Sequence, residues 1–273
     1  MQKLLIYLLI ALLMVSCEKQ QDWALQPSDN DFLVVDGIIT SELKFQTIKL
    51  SRPVSELNGA PLPVSGATVL VSTDQSNLTF KEMATEPGTY RSLVPFIGSK
   101  NKVYSLLINS GDEVYTAKAA LAPAVSVFDF VNYQLNEKEN RYHFTRTPFP
   151  YSPVLPGMYE IELDWSGAEG YEGQNPDSCR AKVYYYTLPT IDVSEVFAPG
   201  MESVTFPPGT VITERRYSLS SEHAAFLRAL LLETTWQGGY FNTASANIPT
   251  NMSSGARGFF GACGVAEKTQ TAK

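Results

Sequence analysis

Two histidines, three cysteines and one cluster of carboxylates are the residues of this 273-residue chain whose types could do chemistry. His143 and His223 are the candidate imidazole bases or ligands. They lie in different predicted elements, without the short spacing that a metal site uses. His223 falls in the first turn of a predicted helix, where it is expected at the surface. Glu160, Glu162 and Asp164 alternate along one face of a predicted strand. Oxygen ligands of this kind suit calcium and also hydrogen-bond to sugars, but a solvated strand face accounts for them equally well. No Gly-x-Ser-x-Gly, P-loop or Gly-x-Gly-x-x-Gly occurs. The expectation is a non-enzymatic protein with no catalytic residue, no metal site and no cofactor. Aromatic side chains carry the better functional signal. Trp165, Tyr171, Trp236 and Tyr240 border Gly-rich loops, and Tyr184-Tyr185-Tyr186 alternates across a strand, so at least one of those rings faces away from the core. Trp165, Tyr171, Tyr185, Trp236 and Tyr240 are the candidate ligand or partner contacts, against the alternative that they pack the interior.

The cysteines divide by position. Met1-Gln2-Lys3 is followed by an apolar run from Leu4 to Val15 and then Ser16-Cys17. A charged start, a short apolar segment and a small residue at the cut describe a secretory leader, and the run falls short of the roughly 20 residues that span a bilayer. Ser16-Cys17 resembles a bacterial lipobox, with Met14 where Leu is usual; the competing reading is an ordinary leader cut beside an incidental cysteine. The lipobox reading makes residues 1–16 a lipoprotein signal peptide and Cys17 the acylated N-terminus that holds the protein to outer-membrane lipid, on the periplasmic or the cell-surface face. Cys179 and Cys263 then remain in an oxidising compartment, either as a disulfide or as two separate buried thiols. A bridge over so long a loop would contribute roughly 4–5 kcal/mol.

The elements that must position these residues are predominantly extended. The polar stretch 17–31 reads as a tether. From Phe32 the apolar residues recur at β spacing: Phe32–Ile39, interrupted near Asp36-Gly37; Phe45–Ser51; Ala67–Ser72; Asn77–Lys81; Thr89–Leu93; Val103–Asn109; and Glu113–Lys118. Seven short strands with turn residues between them predict an antiparallel β-sandwich over 32–122. Gly88-Thr89-Tyr90 and Tyr115-Thr116-Ala117 give it a resemblance to the immunoglobulin-like and carboxypeptidase-regulatory-like sandwiches, which carries no activity by itself. Residues 123–266 predict a second β-rich domain. Its clearest strand is Met158–Trp165, with Tyr159, Ile161, Leu163 and Trp165 on the face away from the carboxylates. Its single helix, about 220–236, is capped by Ser220, carries a Phe226, Leu227, Leu230, Leu231 stripe for the second sheet, and stops at Gly238-Gly239. Residues 267–273 are expected to fray as a disordered tail.

Charge narrows the partners. The net charge of −7 becomes about −8 once Lys3 leaves with the leader. Without a Lys/Arg run there is no phosphate-neutralising footprint, so no nucleic-acid partner is expected. Cys17, the opening Leu33-Val34-Val35-Asp36-Gly37, the Ser-capped helix and the closing stretch from Asn247 through Gly258-Phe259-Phe260 to Ala262 together resemble a family of Bacteroidota outer-membrane lipoproteins, domain of unknown function 4249. The departure is Phe259, where the family commonly has Tyr. The resemblance covers the mature chain and implies no catalytic residue. It implies a context beside TonB-dependent outer-membrane transporters, and so an accessory or ligand-capturing role with an unknown ligand. The loops around 147–157, 166–177 and 238–256 would supply the contact surfaces. A structural or adhesive cell-surface protein is the alternative.

Overall fold

The computed structural model describes residues 32–54, 59–125, 131–146, 152, 154–190, 204–234 and 248–273. The mainly β architecture expected from the sequence holds: sixteen strands and one α-helix are found among these residues. The first sheet contains β1 (Leu33–Thr40), β2 (Thr47–Arg52), β3 (Leu62–Pro63), β4 (Thr68–Ser72), β5 (Asn77–Met83), β6 (Glu86–Ser92), β7 (Val103–Ser110) and β8 (Glu113–Ala120). Alternation drives it. In β1, Leu33, Val35 and Ile39 point inward, and in β2 Ile48 and Leu50 do so, joining Val69, Val71, Leu106 and Ile108 in one apolar interior. The β7–β8 hairpin turns on Gly111, whose φ of 61° at the first central position suits a two-residue turn with Gly in that place. β1 runs unbroken through Asp36-Gly37. Gly37 serves packing there, since a Cβ on it would stand 3.0 Å from the Ile48 side chain.

The remaining elements are β9 (Asn132–Asn136), β10 (Arg141–Arg146), β11 (Gly157–Asp164), β12 (Arg180–Thr187), β13 (Thr205–Phe206), β14 (Val211–Ser218), α1 (Ser221–Glu233), β15 (Ala256–Cys263) and β16 (Val265–Thr271). A three-stranded sheet, β13-β10-β9, packs on a four-stranded one, β12-β11-β14-β16, around Tyr142, Tyr159, Ile161, Leu163, Phe206 and Ile212.

Three sequence expectations are corrected here. The division at 122/123 does not hold, because β15 leaves the second unit and pairs in parallel with β1 from Leu33↔Ala256 to Thr40↔Cys263. This makes the first sheet β15-β1-β2-β6-β5-β4-β7-β8. It closes on itself through Asn251, whose side-chain amide donates to the Lys118 carbonyl at 3.0 Å and the Phe260 carbonyl at 2.7 Å. The same side chain accepts from the Phe260 N–H at 3.0 Å. The amide thus stands in for a missing strand residue between β8 and β15, which is the physical content of the closing Asn-to-Gly-Phe-Phe stretch. Second, the tail does not fray: residues 267–271 are part of β16, paired along β14 from Val211↔Thr271 to Tyr217↔Val265, and Ala272 is buried. Its polar sequence concealed a strand held by backbone bonds. Third, α1 is capped as expected, with Ser220 accepting from the His223 N–H, but it does not lie on the second sheet alone. His223 and Phe226 stack on Phe259 of β15 at 4.6 and 5.1 Å, and Ala224 and Leu231 join Leu188, Tyr217, Leu219 and Cys263 in a junction between the two units. The expected helix end at 236 and the Gly238-Gly239 stop lie outside the described residues, as do Cys17 and the leader and tether expected over residues 1–31.

Cys179 and Cys263 form no bridge. Both are free and fully buried, the first in the second sandwich and the second in the junction. Each thiol fills its own core as a small hydrophobe.

Candidate functional site

The outward faces of β1 and β2 confront the outward face of the four-stranded sheet, and a cleft of about 250 Å³ lies between them. β alternation builds both walls. Because Leu33, Val35 and Ile39 point into the first core, Asp36 and Ile38 must point out. Ile48 and Leu50 inside likewise place Thr47 and Lys49 outside. Asp36 is the direct cross-strand partner of Lys49. Opposite, Tyr159, Ile161 and Leu163 pack inward, leaving Met158 and Glu160 on the cleft side with Tyr184 of β12 and Tyr217 of β14. Glu160 sits between Tyr184 and Arg215 in register.

The second wall is electrostatically locked. One Glu160 oxygen accepts from Arg215 Nη1 at 3.0 Å; the other accepts from the Tyr184 hydroxyl at 2.9 Å and faces Lys182 Nζ at 3.3 Å. Burial works against ionisation of Glu160, but Tyr184, Lys182 and Arg215 outweigh it and hold its pKa below the usual carboxylate value. Arg215 also reaches Glu162 at 2.9 Å, Glu267 at 2.7 Å and Glu42 of the β1–β2 loop at 3.8 Å. Desolvation opposes its charge, and the surrounding carboxylates raise its pKa regardless. The contact to Glu42 ties the second unit to the first beside the cleft. The carboxylate face expected to be solvated is therefore an ion-pair network, with Glu160 itself buried. The first wall is open by contrast. Asp36 is exposed by surface area, yet crowding by the facing wall desolvates its carboxyl and raises its pKa, with Lys49 opposing.

An apolar apex borders this cleft. The β1–β2 loop and the segment after β6 display Leu43, Phe45, Leu93, Val94 and Ile97, all well exposed. Their backbone is stapled by Gln46, a buried side chain whose amide donates to the carbonyls of Thr40, Glu42 and Phe96 and accepts from the Thr40 N–H. A rigid loop pair presenting large apolar side chains to solvent is the signature of a contact surface.

Of the aromatic residues singled out from the sequence, Trp165, Tyr171 and Tyr185 belong to one interior cluster and not to the cleft. Trp165 and Tyr185 are core residues: Trp165 packs in the second sandwich, and Tyr185 is stacked on Tyr159 at 4.3 Å while its hydroxyl donates to the buried Glu214 carboxylate. Tyr171 is half-buried and accepts from Arg141 Nη1 at 2.9 Å. Trp236 and Tyr240 lie outside the described residues. Tyr184, the neighbour of Tyr185, is the ring that reaches the cleft. His223 also departs from expectation. It is buried, its Nδ1 stands 3.7 Å from the Cys263 sulfur, and burial lowers its pKa to about 4. A small residue facing it, Gly261, leaves the room that drew this histidine inward. Asp36 and Lys49 were missed as site residues. The signal was present, an acid inside an apolar strand and a lysine on an alternating one, but their pairing needs the register. Among the described residues no group of three His, Cys, Asp or Glu side chains could hold a metal ion.

The family model described as domain of unknown function (DUF4249) matches residues 18–269, and the chain belongs to that family. No curated protein matches it.

Proposed function

As a member of that family, we propose, this protein is a lipid-anchored outer-membrane component that captures a small ligand and serves as a non-enzymatic accessory of a TonB-dependent transporter. The cleft between Asp36–Lys49 and Glu160–Tyr184–Tyr217, bordered by the stapled apolar apex, carries the reading: one surface holds a ligand and the other meets a protein. Binding without catalysis is favoured by how the groups are used. Both oxygens of Glu160 are engaged, so it is a poor proton acceptor, and His223 and Cys263 face one another in a closed apolar cluster. The acylated Cys17 would anchor the molecule, with fourteen residues between it and Phe32 as the tether.

The test is a gentle detergent extraction of tagged protein from its native envelope, with bound proteins identified by mass. A stoichiometric TonB-dependent transporter is expected. Abundant, intact protein without one overturns the accessory role in favour of a structural or adhesive surface protein, for which the exposed apex would equally be suited. Cys17→Ala is expected to release the protein from the membrane fraction; retention there sinks the lipid anchor.

A further inference from the structure

We infer that the cleft is a subsite for a small, neutral, polyhydroxylated ligand of the size of a sugar ring, an inference that rests on the ligand-capturing reading above. Tyr217 supplies the first observation. Its residue is only 8% exposed, yet among the described residues no hydrogen-bond partner reaches its hydroxyl, which opens onto the cleft. The hydroxyl itself is open to solvent, since no buried side-chain oxygen among the described residues lacks a partner, so a ligand hydroxyl entering the cleft would take the place of solvent there.

The second observation is the Asp36–Lys49 pair. Neither side chain hydrogen-bonds to another described residue, and they stand opposite one another on adjacent strands. Side by side they offer carboxyl acceptors and ammonium donors with no net charge. A hydroxyl both donates and accepts, so two adjacent hydroxyls on a ring match the pair. The third is the facing wall. The Tyr184 ring is 43% exposed, and its hydroxyl is fixed to Glu160, which holds the ring edge in place. An aromatic surface opposite a polar pair suits a ligand with hydroxyls on one side and C–H groups on the other.

Charge and size exclude competitors. An anion would meet Asp36 and Glu160, and a cation would meet Lys44 and Lys49. The volume lies just under the roughly 300–1,000 Å³ of pockets that enclose drug-sized molecules. A zwitterionic amino acid is the one comparably neutral alternative of that size.

The experiment titrates the full acylated protein, in micelles of a detergent without a sugar headgroup, with glucose, galactose and mannose, and separately with glycine and glycine betaine. Ligand-observed saturation-transfer NMR and calorimetry provide the readouts. Binding of at least one hexose is expected, weakened about tenfold by Asp36→Asn and by Tyr217→Phe, the loss of one hydrogen bond to a charged or buried partner. Both variants are to melt at the wild-type temperature; if Tyr217→Phe does not fold, Asp36→Asn and Lys49→Met decide. Silence toward all three hexoses, binding of the zwitterions alone, or hexose binding indifferent to these substitutions overturns the inference. A transporter that co-purifies with a hexose-blind protein leaves the accessory role standing, whereas hexose binding without a transporter removes that role and keeps the site.

Discussion

The two cores of this molecule solve the same packing problem with opposite materials. Inside the curled first sheet the core is built of aliphatic and aromatic side chains and one methionine, from Leu33 and Val35 to Tyr90, Met252 and Phe260. Inside the second sandwich the central strand β14 turns Glu214 and Arg216 inward, with 0% and 3% exposure. They survive because each is satisfied. Glu214 accepts from the Tyr185 hydroxyl and from the Val131 N–H at 3.0 Å. Arg216 donates to the Tyr159 hydroxyl, the Ser218 hydroxyl and the Leu155 carbonyl at 2.8–2.9 Å. The first core is held by area removed from water, which tolerates approximate fit. The second depends on a network in which losing one member strands the others. The cleft lies where the two meet, its open wall on the aliphatic unit and its locked wall on the polar one.

Breaking the first unit at its closure should have the largest effect. Gly258 has φ 90°, and a Cβ there would run into the Val35 carbonyl oxygen across the β1–β15 pairing. Gly258→Ala is expected to cost about 4 kcal/mol or more, read as loss of cooperative thermal unfolding. A wild-type melt would show that β15 can leave the sheet. Next comes the polar core. Arg216→Met keeps most of the volume but removes three hydrogen bonds of the guanidinium, for an expected loss of about 3 kcal/mol in denaturant unfolding. Ile48→Val in the first core should cost only about 1 kcal/mol. Equal costs would erase the contrast between the cores.

Titration separates the junction from the second core. His223 has its folded pKa lowered from 6.5 to about 4 by burial, so the unfolded chain takes up its proton first. Stability should fall as pH drops from 6.5 toward 4, by about 3 kcal/mol in all, and His223→Phe should remove that loss. Glu214 runs the other way. Burial raises its folded pKa above 4.5, despite Tyr185, the Val131 N–H and Lys268. Its contribution is greatest below pH 4.5 and is lost as pH rises through the folded value, so Glu214→Gln should flatten that decline. Urea unfolding across pH 3.5–8, about the range set by these two groups, reads both. The smallest expected effect is none at all. A reductant should leave the melting temperature unchanged, and Cys179 and Cys263 should react with iodoacetamide only after unfolding, since burial pushes the Cys263 thiol up to about 12.

This contrast explains what could be read in advance. Strands β1, β2, β4, β7, β8 and β11 announced themselves because one face of each is apolar, and Ser220 announced α1 because an N-cap is a local device. β14 stayed invisible because an acid and an arginine, Glu214 and Arg216, occupy two of its inward positions and break the apolar alternation begun by Ile212. β16 stayed invisible because backbone pairing, and little apolar area, holds it. The aromatic signal picked Tyr185 where the cleft uses Tyr184, since a run of three tyrosines declares an alternation and leaves its phase open.

The sequence alone determined the extended segments that carry one apolar face, where α1 starts, and which residues of Met158–Trp165 face the core, because these depend on contacts a few residues apart. Only the tertiary structure decided that residues 256–263 close a sheet begun at residue 33, that Asp36 faces Lys49 and opens toward Glu160, and that His223 is buried against Phe259. Those facts rest on register and on pairings between segments far apart in the chain, as Leu33 is from Ala256, and such pairings follow from the whole set of buried faces finding partners at once.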